Sequence, residues 1–570
     1  DYAEYLLFTN LDDIRVIVAL RTGKDTSEYT VPHDMVRIAI NTLTSTTITP
    51  EEEALGFFTR KKLKGLSTWD QWEAGEHKQL SQFARQKMFG DPVDPQLLPS
   101  DAVILRPHWN YAVKRSGVRR SRLCCNGSKS AAPQLHAVAS TWSSCVALPI
   151  QRLFLALCAQ QGLSIYGCDI VEAYAHSPAA DTKSYLAVDQ AYSDWYLKTE
   201  GKRINRRWVL PIKHSLQGHP ESGKMWMRTI NQVLLEQMGF RTTTHDRCIY
   251  FKEHEGKVIM LLRQVDDFLV ACDDEDIAKN ITNIIGTKIQ LASEKKQGEL
   301  PIKLLGLVDD YNGTDIIQTN QYIEMSAKRY IERFLSSHGW DSKSDKPKSS
   351  DTMHSNRNLT PLPGECVSQL FNDIGPRENT PEYHALEKAA GFRYRTVLGE
   401  MMYAHITCRP DIGFAITTLS KFSSCPSEIH YAKLKGVAKY LRSTIDWGIR
   451  FKRPKPLTTL RDGTPYVIPE DSETTFPVDI AEPRLKCFVD ASHATDPRKM
   501  RSITGVVFTY CGGAIVYQSK TQELTASSST EAEFIAAYTA GKITRFLRNV
   551  LKEMGFPQDG PTDIYIDNEP

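Results

Sequence analysis

The chain has 570 residues, 41% of them apolar and 24% charged, and a formal net charge of +2. That length leaves room for about three or four domains with sizeable cores. The near-neutral charge excludes a protein that holds a polyanion through a global basic field, so any such contact must come from local patches. The 12 cysteines are scattered with no C-x-x-C pair. This argues against a zinc site or a disulfide framework and for reduced core residues of an intracellular protein. No apolar run approaches the roughly 18 residues needed to span a bilayer. The chain opens at Asp1-Tyr2 without a methionine and stops at Pro570 after a strand-like run. Both ends are therefore expected to be cut from something longer.

Residues 1–94 read as mixed helix and loop, with one helix opened by Pro50 and three glutamates and another over 68–88; the segment reads as an arm or the tail of an upstream region. Residues 101–129 turn strand-like and basic: 111–129 hold Lys114, Arg115, Arg119, Arg120, Arg122 and Lys129 and no acid. An ordinary solvated hairpin and a set of phosphate contacts both fit this pattern. An amphipathic helix over 148–161 feeds a strand, 164–168, that ends at Asp169 and enters a second helix. There Asp169 suits a helix N-cap as well as a ligand. A strand over 208–216, a loop over 217–223 and a helix over 224–238 ended by Gly239 follow; a glycine-bounded loop before a helix connects elements or holds a ligand's polar edge.

Residues 257–275 place Asp266 and Asp267 between two apolar, β-rich runs, with too little chain between them for anything but a tight hairpin. Aspartate is common in turns, but two adjacent carboxylates between buried strands also repel each other and lose hydration, which a divalent cation relieves. A hairpin around Asn312-Gly313 and a helix over 322–337 come next. Residues 340–382, rich in Ser, Pro, Asp and Asn, read as a linker, followed by helices over 384–405, 410–422 and 429–444. A second linker spans 453–484. The last domain opens with a strand ending at Asp490, continues through strands over 502–510 and 514–519 and a long helix from Thr530, and reaches Asp567 after the strand 563–566.

Asp169 with Asp266 and Asp267 is a strand-end carboxylate plus a hairpin pair. If the fold brings the three together, they suit two divalent ions that activate a hydroxyl and stabilise the leaving oxygen in phosphoryl transfer. Asp490, Glu533 and Asp567 offer the same arrangement with water as nucleophile; three unrelated caps and helix-face charges fit their spacing equally well.

From about residue 95 onward the chain resembles the reverse transcriptase and ribonuclease H region of copia-type LTR retrotransposon polyproteins. Gln264-Val265-Asp266-Asp267 resembles the polymerase Tyr-x-Asp-Asp motif, with Gln264 in place of tyrosine beside the metal site. The run from Asp169 to Tyr174 resembles the first palm motif, which implies Asp169 as a metal ligand and Tyr174 under the incoming sugar. Residues 215–226 resemble a block that places Gln217 and Gly218 beside the nucleotide, with Pro220 and Gly223 departing from it. Leu304, Leu305 and Gly306 resemble the primer grip, and the basic stretch around Arg122 resembles the fingers with triphosphate contact. Residues 394–412 match a block particular to these elements. Residues 519–522 and 528–534 match the ribonuclease H block, with Glu533 rather than Glu531 in the catalytic place.

The resemblance implies a multidomain α/β (α+β) fold: a right-hand polymerase of fingers, palm and thumb, a helical connection, and a partial ribonuclease H-like domain lacking a fourth acid and a last helix. The expected boundaries are an arm over 1–94, fingers and palm over 95–302, primer grip and thumb start over 303–340, a linker over 341–383, helical thumb and connection over 384–452, a linker over 453–484, and the ribonuclease H-like domain over 485–570. The implied function is RNA- and DNA-directed DNA synthesis with Mg²⁺, two ions per active site, and Mn²⁺ as the alternative. Its implied partners are an RNA template, a DNA primer, their RNA–DNA hybrid and dNTPs, with no membrane. A homodimer and an integrase upstream in the parent polyprotein are further expectations, as are a cytoplasmic virus-like particle and cDNA that later reaches the nucleus. The competing reading is a degenerate element product that binds nucleic acid without polymerising. A two-metal nuclease unrelated to polymerases leaves the 215–226 and 394–412 blocks unexplained.

Overall fold

The computed structural model describes residues 49–53, 55, 58–113, 117–138, 141–295, 298–341, 360–455 and 482–567. Lys114, Arg115 and much of both predicted linkers lie outside them. The chain divides into two units, one of residues 1–143, 172–229 and 290–299, the other of 144–171, 230–289 and 300–570. The stretch 95–302, expected to be one fingers-and-palm domain, is therefore shared between two units, because the chain passes back and forth between them.

In the first unit the helix Trp69–Arg85 buries Trp72, Leu80 and Phe83. It lies against a hairpin of Pro107–Val113 and Arg119–Cys125. Trp72 meets the edge of Tyr111 at 5.8 Å. Arg119 Nε donates to Glu52 Oε1 at 2.8 Å. Burial alone would raise the Glu52 carboxyl, but Arg119, with Thr49, Thr68 and Trp72, holds it down at about 2. The described part of 1–94 is thus not a free arm. Its aromatic residues have no other way to leave water than to share a core with the basic hairpin. A three-stranded sheet of Val103–Leu105, Ser184–Ala187 and Val209–Pro211 completes this unit; the strand expected over 208–216 keeps only three residues.

The second unit is built on helix α1 (Leu148–Gln160), whose residues from Ile150 to Ala159 are all buried. Beside it in sequence runs β1 (Ser164–Ile170), then β2 (Ile249–His254), β3 (Lys257–Gln264), β4 (Asp267–Cys272) and β5 (Ile302–Leu307). With the short strand Arg241–Thr242 they form a six-stranded sheet in the order β5, β1, β4, β3, β2, Arg241–Thr242. Helix α2 (Glu275–Ile289) covers part of it with Ala278, Ile281, Ile285 and Ile289, an apolar stripe at helical spacing. Asp169 lies inside β1 and not at a helix N-cap; the segment after it is a short 3-10 turn, Ala173–His176, and not the α-helix expected. The boundary expected at 302/303 cuts through β5.

A second sheet joins Asp310–Tyr311, Thr314–Gln318, Tyr322–Ser326 and Ile449–Lys452. The helix expected from residue 322 begins only at Lys328, since Tyr322–Ser326 pairs on both sides, once with a strand more than a hundred residues away. The hairpin around Asn312-Gly313 is present, with φ of +51° and +79° at the two turn residues, as a two-residue turn requires. Four helices follow, Pro381–Ala390, Tyr394–Cys408, Gly413–Ser420 and Glu428–Ser443. The first expected helix is broken at Gly391, a left-handed cap with φ +79°. The predicted linker 341–383 carries a helix, Val367–Asn372, that buries Leu370 and Phe371.

At the C-terminal end β6 (Lys486–Asp496), β7 (Arg501–Tyr510), β8 (Gly513–Thr521) and β9 (Asp563–Ile566) make a sheet in the order β8, β7, β6, β9, with β9 parallel to β6. Helix α3 (Ser529–Glu553) packs on it through Ala532, Ala536 and Ala540 and then Leu547, Val550 and Leu551. Small side chains at its start let the helix approach the sheet closely. No described helix is long and apolar enough to cross a membrane.

Candidate active sites and family

The first centre sits where β3 turns into β4. Gln264 and Asp267 pair across the hairpin, leaving Val265 and Asp266 as a two-residue turn. Val265 adopts φ +59°, which a β-branched residue rarely accepts. On its other side Asp267 pairs directly with Asp169 of β1, and partners opposite each other share one face of the pleat. Asp169 and Asp266 are half-buried while Asp267 is exposed. Asp267 nevertheless loses hydration on its protein side, and the charges of Asp266, Asp169 and Asp310 add to that, so its pKa is raised to about 6. Asp310 is a fourth acid that the sequence did not single out. It opens the first strand of the second sheet, Asp310–Tyr311, eight residues after β5 begins.

The hairpin is held from behind. Val146 N–H donates to Gln264 Oε1 at 3.2 Å, just before α1. Arg263, only 1% exposed, donates to Ser144 Oγ at 3.1 Å and Tyr250 Oη at 3.3 Å. Both ties are tertiary and left no mark in the local sequence. Leu304, Leu305 and Gly306 lie in β5 at a bulge, where Gly306 has φ +83°, and the bulge turns Leu305 outward to 65% exposure.

The first unit holds the remaining predicted contacts. Gly218 has φ +90°, and a Cβ there would stand 2.1 Å from Cys125 O, so only glycine fits. Cys125 N–H donates to Gln217 O at 2.8 Å. This fastens the Gln217-Gly218 loop to the end of the strand that carries Arg122. The Arg122 Nε is buried with no hydrogen-bond partner among the described residues. Tyr174 is half-buried in the 3-10 turn, where its carbonyl accepts from Ser177 Oγ at 3.0 Å.

The second centre is Asp490 on β6, Glu533 on α3 and Asp567 just after β9. One carboxylate oxygen of each lies within 4.8 Å of the others, the one such group of three found among the described residues. Glu533 is 8% exposed. Its Oε1 accepts from Ala491 N–H at 2.9 Å, while its Oε2 is buried without a partner. Burial first, then Asp490 and Asp567, raise its pKa. A buried, unpartnered carboxylate oxygen facing two more carboxylates is the donor set of a hard divalent cation. Glu531 instead bonds to Ser527 and is fully exposed.

The model of the family "Reverse transcriptase (RNA-dependent DNA polymerase)" matches residues 96–345. The retrovirus-related Pol polyprotein from transposon TNT 1-94 of Nicotiana tabacum is 28% identical over 421 residues, covering 73% of this chain and 27% of that protein. The corresponding polyprotein from transposon RE1 of Arabidopsis thaliana is 21% identical over 430 residues, 75% of this chain and 24% of that one. The chain thus spans about a quarter of the length of these relatives. A foamy viral protease-reverse transcriptase solved in complex with RNA/DNA hybrid is 11% identical, with a TM-score of 0.38, over 78% of this chain and 43% of that one. With the palm carboxylates in register and the family match running across them, residues 96–345 make up a reverse transcriptase region similar to that of the copia-type retrotransposon Pol polyproteins.

Proposed function

We propose that the chain polymerises DNA on an RNA or DNA template, and that the observation carrying this reading is the pairing of Asp169 with Asp267 next to Asp266. Asp169, Asp266 and Asp267 would hold divalent ions, Mg²⁺ by the hardness of the donors. Ions bound there would supply charge neutralisation for the attacking 3′-hydroxyl and the leaving pyrophosphate. Everything else falls to the chain's own residues. Tyr174 sits under the incoming sugar and rejects a 2′-hydroxyl, Gln217 and Gly218 border the nucleotide, and Arg122 contacts its triphosphate. Leu304, Leu305 and Gly306 support the primer strand, and the hybrid is gripped through backbone and shape rather than base sequence.

The trio Asp490, Glu533 and Asp567 has the donor chemistry to direct water onto the RNA strand of the hybrid as a ribonuclease H. The parent polyprotein would work inside a cytoplasmic particle with an integrase encoded upstream.

Oligo(dT)-primed poly(rA) with dTTP and Mg²⁺ tests the polymerase reading, with the double variant Asp266→Asn, Asp267→Asn as control. Incorporation that the variant loses supports it. Absence of incorporation by folded protein that still binds the hybrid would leave a nucleic-acid-binding remnant instead.

A further inference from the structure

The strand registers reveal a row that the motifs do not. Lys303 of β5 pairs directly with Asp169 of β1, Asp169 with Asp267 of β4, and Asp267 with Gln264 of β3. Directly opposed partners share a face at about 4.8 Å per strand, so one line across four strands reads ammonium, carboxylate, carboxylate, amide. The burial pattern agrees: the next residues along each strand, Ile302, Cys168, Phe268 and Arg263, are buried, while Lys303 and Asp267 are exposed. Although Asp169 stands directly opposite, the Lys303 side chain makes no ion pair or hydrogen bond with any described residue. Its β5 lies at the edge of the sheet, and two residues on, the bulge exposes Leu305 by 65%.

We propose that Lys303 is a primer-positioning residue whose ammonium contacts a backbone phosphate near the primer's 3′ end. The inference rests on the polymerase reading of the same face. Asp169, Asp266, Asp267 and Asp310 make this face strongly negative, and a nucleic-acid strand laid across it meets attraction only at the ammonium end of the row. A phosphodiester therefore settles over Lys303. The neighbouring exposed leucine offers an apolar surface to the adjoining sugar. A lysine suits this role as a point charge on a flexible stem, needing no fixed fork geometry.

The test uses the full chain with Lys303→Met and Lys303→Arg, an exposed position where neither change strains the fold. Hybrid binding is followed by fluorescence anisotropy across salt concentrations without divalent ion, and primer extension is followed separately. The expected result for Lys303→Met is binding weakened about fivefold at low salt and a slope of log K against log [salt] reduced by about 0.9. KM for the primer–template should rise with kcat nearly unchanged, and Lys303→Arg should restore most of the loss. A neutral methylphosphonate at the primer's terminal linkages should abolish the difference between parent and Lys303→Met. If methylphosphonates in the template do so instead, the primer assignment is wrong. An unchanged salt slope with a shifted Mg²⁺ half-saturation would mean that Lys303 tunes the carboxylates, and would overturn the proposal. Should the salt-slope and methylphosphonate results hold while the parent chain extends no primer, the phosphate contact stands and the polymerase reading fails.

Discussion

The two carboxylate centres solve one problem in different ways. At the C-terminal centre the acids come from a strand, a helix and a strand end, and their oxygens already lie within 4.8 Å of one another. A backbone amide holds Glu533 in a buried position. At the palm centre Asp169 and Asp267 are adjacent on one sheet and Asp266 caps a two-residue turn, an arrangement outside the one converged group among the described residues. Convergence costs like-charge repulsion. The first arrangement buries one acid, Glu533, between two exposed ones, whereas the second has two half-buried acids and one exposed, Asp267, whose carboxyl is lifted to about 6 by lost hydration first and then by the charges around it.

That contrast can be broken most severely at Glu533. Glu533→Gln should reduce any Mg²⁺-dependent cleavage of the RNA strand by about a hundredfold or more, while leaving primer extension within about twofold. A gel assay on end-labelled hybrid reads both. A comparable fall in extension would mean that the centres are not independent.

Proton competition sharpens the contrast next. The Asp267 carboxyl, raised to about 6, is protonated below that pH. Apparent Mg²⁺ affinity at the polymerase centre should therefore fall up to about tenfold per pH unit below 6 and level off above 7. Titrating extension with Mg²⁺ between pH 5 and 8 measures it. The same shift sets a stability sign. Because the folded pKa exceeds the unfolded one, the native state binds the proton more tightly between about 4 and 6, so stability is lost as pH rises through that window. Asp267→Asn should raise Tm by about 2 °C at pH 7.5, a figure discounted for solvent exposure, and by nothing at pH 4. A Tm lowered at pH 7.5 would contradict that sign.

The turn gives a smaller effect. Val265→Gly relieves the left-handed strain and should stabilise by up to about 1 kcal/mol. Gln264→Leu removes the bond to Val146 N–H and should cost about 1 kcal/mol. Urea unfolding distinguishes both from no change.

The palm hairpin was legible because Asp266 and Asp267 stand between two strongly patterned strands, and alternation locates strands locally. The palm hairpin, β7, β8 and α3 fall close to where the pattern puts them. Elsewhere partners distant in sequence decided the structure. Tyr322–Ser326 looks helical beside the periodic segment that follows, yet it is a strand because Ile449–Lys452 pairs with it. Residues 1–94 read as an arm or the tail of an upstream region, yet Trp72 is fully buried against the hairpin. Asp310 and Lys303 carry no motif; only register and a change of sheet bring them beside Asp169 and Asp267.

Asp169, Asp266 and Asp267 are proposed as the polymerising centre, distinct from the C-terminal trio. Its most direct test is Mg²⁺-dependent nucleotide incorporation on a primed RNA template by three proteins side by side: the parent chain, Asp267→Asn and Glu533→Gln. Incorporation is expected from the parent and from Glu533→Gln, with a loss of about a thousandfold in Asp267→Asn. Incorporation that survives Asp267→Asn, or that vanishes with Glu533→Gln, would contradict it.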